Sequence, residues 1–511
     1  METKSRTEYS AHNTTVAMFS RAFAIVMGYV LRIVFTHTLS ASYVGINGLF
    51  MDILNILSLS EMGLETAISY ALYRPIADND IEKQKSVMRL FRRFYNTVAV
   101  VVFGLGLLVI PFMDVLVKNQ QEVGHITFIY ILYLVNTSLS YMLVYKKTMM
   151  DAHQLMYIGT VYKTTSWAVQ DVLQIIFLVT THNFYIYLFV NIATTLISNI
   201  LISKKADSLY PFLREHDAKP LPKEEMGANF RNIRAMLMHR LGNVAVNNTD
   251  NLILSSVVGI MSVGCYSNYY LVIASVQQVL TGCFQGITAS VGNLSVTSDA
   301  KKVREVFKSV FFVTHWLYTF AAICLFELLN PFVELSFGKQ YVFAEEIVLV
   351  LCINFFLTGM RKAALVFRDS IGLFWFDRHN AVITAVLNLV ISIILAKRLG
   401  TIGVFMGTTI SMLMTTVWVE PYVLYKHHFK APVSEYFIRY AAYVIEAAAV
   451  WFVTHMICSH ITGGCIYEII VRGIICVIVP NIIICVIHYR TPEFGFVAGK
   501  IKQLVEKRIH G

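Results

Sequence analysis

Apolar runs of about 20 residues recur along this chain from Thr15 to His488. A run of that length crosses the ~30 Å hydrocarbon core of a bilayer as a helix. Inside hydrocarbon every backbone amide needs an internal partner, so repeated runs predict a bundle of membrane helices. Charged residues make up 14% of the 511, against about 25% in soluble domains, and the mean hydropathy is +0.60. No ten-residue alternation of outer-membrane type recurs, which disfavours a barrel. The expected fold class is an all-α polytopic membrane protein with about 14 transmembrane helices.

The first six expected spans are Thr15–His37, Val44–Tyr73, Tyr95–Val117, His125–Tyr145, Val161–Thr181 and Phe184–Ser203. After a polar linker come Ile233–Gly259, Val263–Val296, Phe311–Leu329, Val342–Arg361, Ala381–Leu395 and Gly403–Tyr425, then Tyr440–Ser459 and Ile469–His488. The first run carries Arg21 and Arg32 and reads as a membrane helix rather than a cleavable signal. With the N-terminus inside, only Lys118, Lys339, Lys397 and Arg398 of the 42 Lys and Arg fall in outer loops. The positive-inside rule therefore predicts cytoplasmic termini and a plasma-membrane location. The excess of +10 then serves orientation and contact with anionic lipid, and it is no sign of nucleic-acid binding.

The outer loops are too short for a catalytic domain, which disfavours a polysaccharide polymerase or glycosyl transferase. No Walker motif, HExxH or nucleophile constellation occurs, against an ATPase or hydrolase. The expected protein is therefore not an enzyme and holds no metal or cofactor. The cysteines other than Cys458 and Cys465 lie well inside apolar runs, as small hydrophobes. Cys458 and Cys465 flank one short loop, near enough in sequence to pair. The 15 histidines show no clustered spacing, and Glu446 and Arg472 read as groups that pair or snorkel.

An internal duplication organises the chain. At an offset near 219, Asn13, Arg21 and Gly45 meet Asn232, Arg240 and Gly264, and Asp80, Lys83, Lys85, Val87 and Arg89 meet Asp299, Lys302, Arg304, Val306 and Lys308. With small drifts, Pro111, Asn136, Asp151, Gln174 and Thr194 meet Pro331, Asn354, Asp369, Asn388 and Thr408. Polar and proline matches in the same order are not cheap by chance. An even number of helices per copy makes a parallel repeat, as several transporter folds use. The expected organisation is an N-lobe over 1–205, a cytoplasmic linker over 206–232, a C-lobe over 233–430, and a C-terminal region over 431–511 with two further helices. A cavity between the lobes is the expected pathway. The basic segments Asp80–Phe91 and Asp299–Val310 read as interfacial helices for anionic lipid.

Charges within membrane runs are costly and mark sites. Helical spacing gathers Arg21 and Arg32 on one face of the first helix, and Arg240, Asn243, Asn247, Asp250 and Asn251 on the seventh, with Gln278 on the eighth. These are the candidate substrate-binding residues, except Asp250. Arg21 and Arg240 are repeat equivalents: guanidinium forks suit a diphosphate, and snorkelling to headgroups is the plainer alternative. Arg32 and Asp250 are candidates for an ion pair that opens during transport. With Asp250, the carboxylates Glu61, Glu65 and Asp171 are candidates for gating or for coupling to a proton or sodium ion.

The run Tyr43-Val-Gly-Ile-Asn-Gly-Leu-Phe50, with Leu57-Ser-Leu-Ser-Glu-Met-Gly-Leu64 and Ala71-Leu-Tyr-Arg-Pro75, resembles polysaccharide biosynthesis proteins of the Wzx-type flippase group. So do Thr249-Asp-Asn-Leu-Ile-Leu254, Tyr266-Ser-Asn-Tyr269, Gly372-Leu-Phe374 with Asp377-Arg378, and Gly403-Val-Phe-Met-Gly-Thr-Thr409. That group lies in the multidrug/oligosaccharidyl-lipid/polysaccharide exporter superfamily. The resemblance implies two six-helix lobes plus two helices. It also implies a flippase for undecaprenyl-diphosphate-linked oligosaccharide in capsule, O-antigen or exopolysaccharide assembly, with a polymerase and a chain-length regulator as partners and Arg21, Arg32 and Arg240 meeting the substrate's anionic groups. A lipid II flippase or a cation-coupled multidrug exporter on the same fold is the alternative.

Overall fold

A computed structural model describes residues 6–58, 64–118, 123–215, 221, 249–373, 376–377 and 379–499. Helix is the only regular structure among them. In chain order the helices are α1 (Arg6–Thr38), α2 (Ala41–Leu57), α3 (Leu64–Ala77), α4 (Ile81–Leu107), α5 (Ile126–Tyr141), α6 (Tyr145–Ala152), α7 (Met156–Thr181), α8 (Phe184–Leu209) and α9 (Thr249–Ile253). They continue with α10 (Ile260–Thr297), α11 (Ala300–Phe337), α12 (Glu345–Met360), α13 (Lys362–Ile371), α14 (Asn380–Leu399), α15 (Thr401–Met414), α16 (Thr416–Leu424), α17 (Ser434–Cys458) and α18 (Cys465–His488). A one-turn α-helix over Met113–Leu116 and short 3₁₀ and π turns lie between some of them. Ten stretches among the described residues are long and apolar enough to cross a membrane, and α2 is a shorter apolar helix. The chain is an all-helical, multi-pass membrane protein, with ten candidate spans where the sequence reading expects about 14.

Several boundaries differ from the expected spans. Val44–Tyr73 divides into α2 and α3, because the first helix stops at Ser58. The basic segment after Asp80 is no separate interfacial helix but the first turns of α4, and the segment after Asp299 likewise opens α11. The reason is local. Asp80 accepts the Lys83 amide at 2.9 Å and Asp299 accepts the Lys302 amide at 3.4 Å, so each aspartate caps its helix and no breaker follows before the apolar run. The stretch Gly403–Tyr425 divides at Thr415 (φ −127°, ψ −85°) into α15 and α16. Cys458 and Cys465 are both free. Cys458 faces Cys476 of α18 instead.

The chain forms two compact units, 1–264 and 265–511. In the first unit, α1 lies along α7, α7 pairs with α8, and α5 packs between α4 and α8. The 249–264 segment belongs to this unit. Ser255 Oγ donates to Leu116 O at 2.5 Å, Lys118 Nζ to Val257 O at 3.1 Å, and Asn251 Nδ2 to Asp52 Oδ2 at 2.5 Å. Two glycines matched by the repeat share one close crossing here. A Cβ on Gly45 would fall 2.1 Å from Ile260 O, and one on Gly264 would fall 2.4 Å from Ala41 O. Asn13 reaches the start of α7, donating to Gln154 O at 2.9 Å and accepting from the Tyr157 amide at 2.8 Å.

In the second unit, α14 and α15 form a tight hairpin. Cβ atoms added at Gly403 and Gly407 would fall 2.3 Å from Leu395 O and 2.2 Å from Ser392 Oγ, the small-residue approach common between membrane helices. Asn388 Nδ2 donates to Thr408 Oγ1 at 2.8 Å across this hairpin. In the first unit, the repeat partner of Thr408, Thr194, donates to Gln170 Oε1 at 2.7 Å across α7 and α8. Both units also tie helix ends with buried ion pairs: Lys146 to Asp207 at 2.7 Å, and Arg361 to Glu420 at 2.5 Å. Finally, α11 packs against α17 and α18, which joins the C-terminal pair to the second unit.

Candidate functional site

The first unit gathers polar side chains from five membrane helices. Arg32 stands six residues before the end of α1, about 9 Å along the axis. One turn on, Phe35 is buried and meets the rings of Phe184 and Tyr187 at 5.6 and 5.3 Å. That contact fixes the face α1 turns toward α8, and with it the direction of Arg32. The half-buried guanidinium lies within electrostatic reach of Tyr133 on α5 and Tyr187 on α8. Tyr133 is buried and its hydroxyl donates to Asn47 Oδ1 on α2.

On the opposite flank, Asp171 of α7 also lies within electrostatic reach of Tyr187. Gln174, one turn on and wholly buried, donates to Tyr187 O at 3.1 Å. Arg32 and Asp171, singled out because charges in apolar runs are costly, therefore converge on one tyrosine. In a low dielectric such groups act on one another far more strongly than in water. Asn251, the repeat partner of Arg32, bonds Asp52 on α2.

The other candidates are placed as follows. Arg21 is exposed on α1, Asp250 is half-buried in α9, and Gln278 is half-buried in α10. Glu65 lies in α3. Arg240, Asn243, Asn247 and Glu61 lie outside the described residues, and with them the Arg21–Arg240 clamp. Sequence reasoning missed Asn47, Tyr133 and Tyr187. With 27 tyrosines in the chain, nothing in the spacing marks these two.

Two further cavities bear on binding. One of about 290 Å³ in the first unit is lined by Lys85, Arg89, Arg92, Arg93 and Asn96 of α4, with Tyr145 and Glu215 among its other walls. The cations recur at steps of three and four, so one helix face presents several phosphate-binding groups. The other, about 640 Å³ and almost wholly apolar, lies in the second unit between Trp418 and Tyr422 of α16 and Phe437 and Ile438 of α17.

No family model matches the sequence, and no curated protein matches it. Solved structures do. The lipid II flippase MurJ, in an inward closed conformation, superposes with a TM-score of 0.66 at 13% identity, covering 93% of this chain and 98% of that one. An inward-facing multidrug resistance MATE family transporter of the MOP superfamily gives 0.60 at 14% identity, covering 78% and 94%. The MATE transporter VcmN of Vibrio cholerae gives 0.54 at 13%, covering 84% and 99%. At such identities the likeness establishes the fold alone: this chain folds as these three proteins do.

Proposed function

We propose that this protein is a flippase that moves an undecaprenyl-diphosphate-linked oligosaccharide from the inner to the outer leaflet by alternating access, for surface polysaccharide assembly. In this reading 1–205 and 233–430 are its two lobes, 206–232 is their cytoplasmic linker, and both termini are cytoplasmic. The observation that carries it is Arg32, a permanent cation held half-buried among Asn47, Tyr133 and Tyr187 inside a membrane unit. A guanidinium there presents a planar fork of donors, which suits the oxygens of a diphosphate. The four-cation cavity on α4 suits the same headgroup at the membrane surface, and the apolar cavity between α16 and α17 suits a polyprenyl chain. In this account Arg21, Arg240, Asn243, Asn247, Asn251 and Gln278 bind the substrate, and Asp171, Asp250, Glu61 and Glu65 gate or couple transport to a proton or sodium ion.

Lipid II is the second reading, favoured by the breadth of the MurJ superposition. The seven per cent of this chain it leaves out is smaller than the 434–511 segment, so it takes in part of the C-terminal helices. A cation-coupled multidrug exporter gains support from the MATE superpositions, but a pocket for cationic drugs fits the arginine-bearing network poorly. Binding separates the three. Quenching of the intrinsic tryptophans by undecaprenyl-diphosphate oligosaccharide, lipid II and a lipophilic cation should saturate at lowest concentration with the first. Tightest binding of the cation would contradict both flippase readings.

A further inference from the structure

Within the second unit, α11, α17 and α18 bring together three side chains that no sequence spacing connects. His315 of α11 is fully buried, while Glu446 of α17 and His488, the last residue of α18, are half-buried. His488 Nε2 lies 2.9 and 3.1 Å from the two Glu446 carboxylate oxygens, and His315 Nε2 lies 3.4 Å from Oε2. The three ligand atoms all fall within 4.8 Å of one another. His315 Nε2 makes no hydrogen bond there: it faces the carboxylate off the line such a bond needs. Its other nitrogen, Nδ1, is 3.1 Å from Thr319 Oγ1. The ring stacks on Tyr443 at 4.2 Å and 3°, and His488 packs against Phe312 at 4.7 Å.

We propose that His315, Glu446 and His488 bind one transition-metal dication of the zinc class, fastening the two C-terminal helices to α11. The donor set is two imidazoles and one carboxylate, the composition of a three-ligand zinc site with a fourth position left for water. Tetrahedral zinc with bonds of about 2.0–2.2 Å separates its donors by roughly 3.3 Å; here the two imidazole nitrogens stand 2.9 and 3.4 Å from the carboxylate, and all three donors lie within 4.8 Å of one another. Thr319 supplies the outer hydrogen bond that sets the tautomer of a liganding histidine. With Nδ1–H turned to the threonine hydroxyl, Nε2 directs a lone pair at Glu446, an arrangement a cation between them stabilises. The stacked ring of Tyr443 holds the His315 imidazole and the tilted ring of Phe312 holds that of His488. His488 ends its helix, which leaves the site a route from the aqueous side.

The test uses the full-length protein, free of added histidines, purified in detergent, stripped with a chelator and titrated with Zn²⁺ against a chromophoric competitor. One Zn²⁺ per chain is expected, with affinity at least tenfold weaker in His315→Gln, Glu446→Gln and His488→Gln, and about tenfold weaker in Thr319→Val. Zn²⁺ should also raise the melting temperature of the wild type and leave that of His488→Gln unmoved. Should the substitutions prevent folding, Co²⁺ in the wild type decides alone. Visible bands of a four-coordinate nitrogen and oxygen site support the proposal, and their absence overturns it. Equal Zn²⁺ uptake by the wild type and His488→Gln overturns it as well.

Discussion

Arg361 and Glu420 show what a single buried charge pair does in this protein. The guanidinium meets the carboxylate through two nitrogens, at 3.0 and 2.5 Å, and Glu420 is 2% exposed. Removing one partner leaves the other without its counter-charge in a largely buried setting, where loss of a buried pair costs up to about 3–5 kcal/mol. Glu420→Ala should therefore lower the melting temperature in detergent far more than a substitution at exposed Glu82, and scanning fluorimetry would measure it. Equal melting of the two variants would show the pair to be solvated. The same logic decides which site residues are legible in a sequence. A lone charge in an apolar run stands out, so Arg32 and Asp171 are visible without a structure. Tyr133 and Tyr187 are invisible, because a tyrosine suits an apolar run whether or not its hydroxyl is used. Nothing in the spacing of His315, Glu446 and His488 connects them, since only helix packing brings together residues so far apart in the chain.

At the scale of elements, apolar length predicts that helices exist, and caps and close crossings decide where they stop and how near they come. Asp80 and Asp299 start α4 and α11 well before their apolar runs begin, so hydropathy alone places both starts too late. The break after α2 has no proline or charge run to announce it. Glycine crossings are more legible, because Gly403 and Gly407 stand four apart on one face of α15. Gly45 and Gly264 are the sharper case. A methyl group on Gly264 would overlap a backbone carbonyl of α2 at 2.4 Å, which no rotamer relieves, whereas Gly104 on α4 has open space. Gly264→Ala should destabilise the protein, and Gly104→Ala should stabilise it by about 0.5–1 kcal/mol through helix propensity. Denaturation of the two variants side by side checks the sign of each. A neutral Gly264→Ala would mean that the crossing is looser than described.

For the molecule as a whole, the duplication read from matched residues has local counterparts in each unit: an aspartate cap, a polar tie across a helix pair, and a buried ion pair at helix ends. The capping aspartates and the two threonines are legible in the sequence because polar residues drift less freely than interchangeable apolar ones, whereas the ion pairs emerge only from the packing. The expected 14 spans are met in part: ten stretches of the described residues qualify by length and apolarity, and most of the expected span Ile233–Gly259 lies outside the described residues. Orientation follows from the distribution of Lys and Arg and can be tested directly. In a cysteine-free background, single cysteines at Lys204 and Lys339 should react with an impermeant maleimide from opposite faces of oriented vesicles, Lys204 from the cytoplasmic face. Labelling of both from one face would refute the expected topology.

The most direct test of the functional account is translocation itself. Purified protein would be reconstituted with a fluorescent undecaprenyl-diphosphate oligosaccharide, and the rate at which the sugar becomes accessible across the bilayer measured under proton or sodium gradients. The account predicts translocation by the wild type and at least a tenfold slower rate for Arg32→Ala, as loss of a charge-assisted contact of about 1.5–3 kcal/mol implies. A wild type that leaves this lipid on its original side under either gradient, while carrying small cations across, would contradict it.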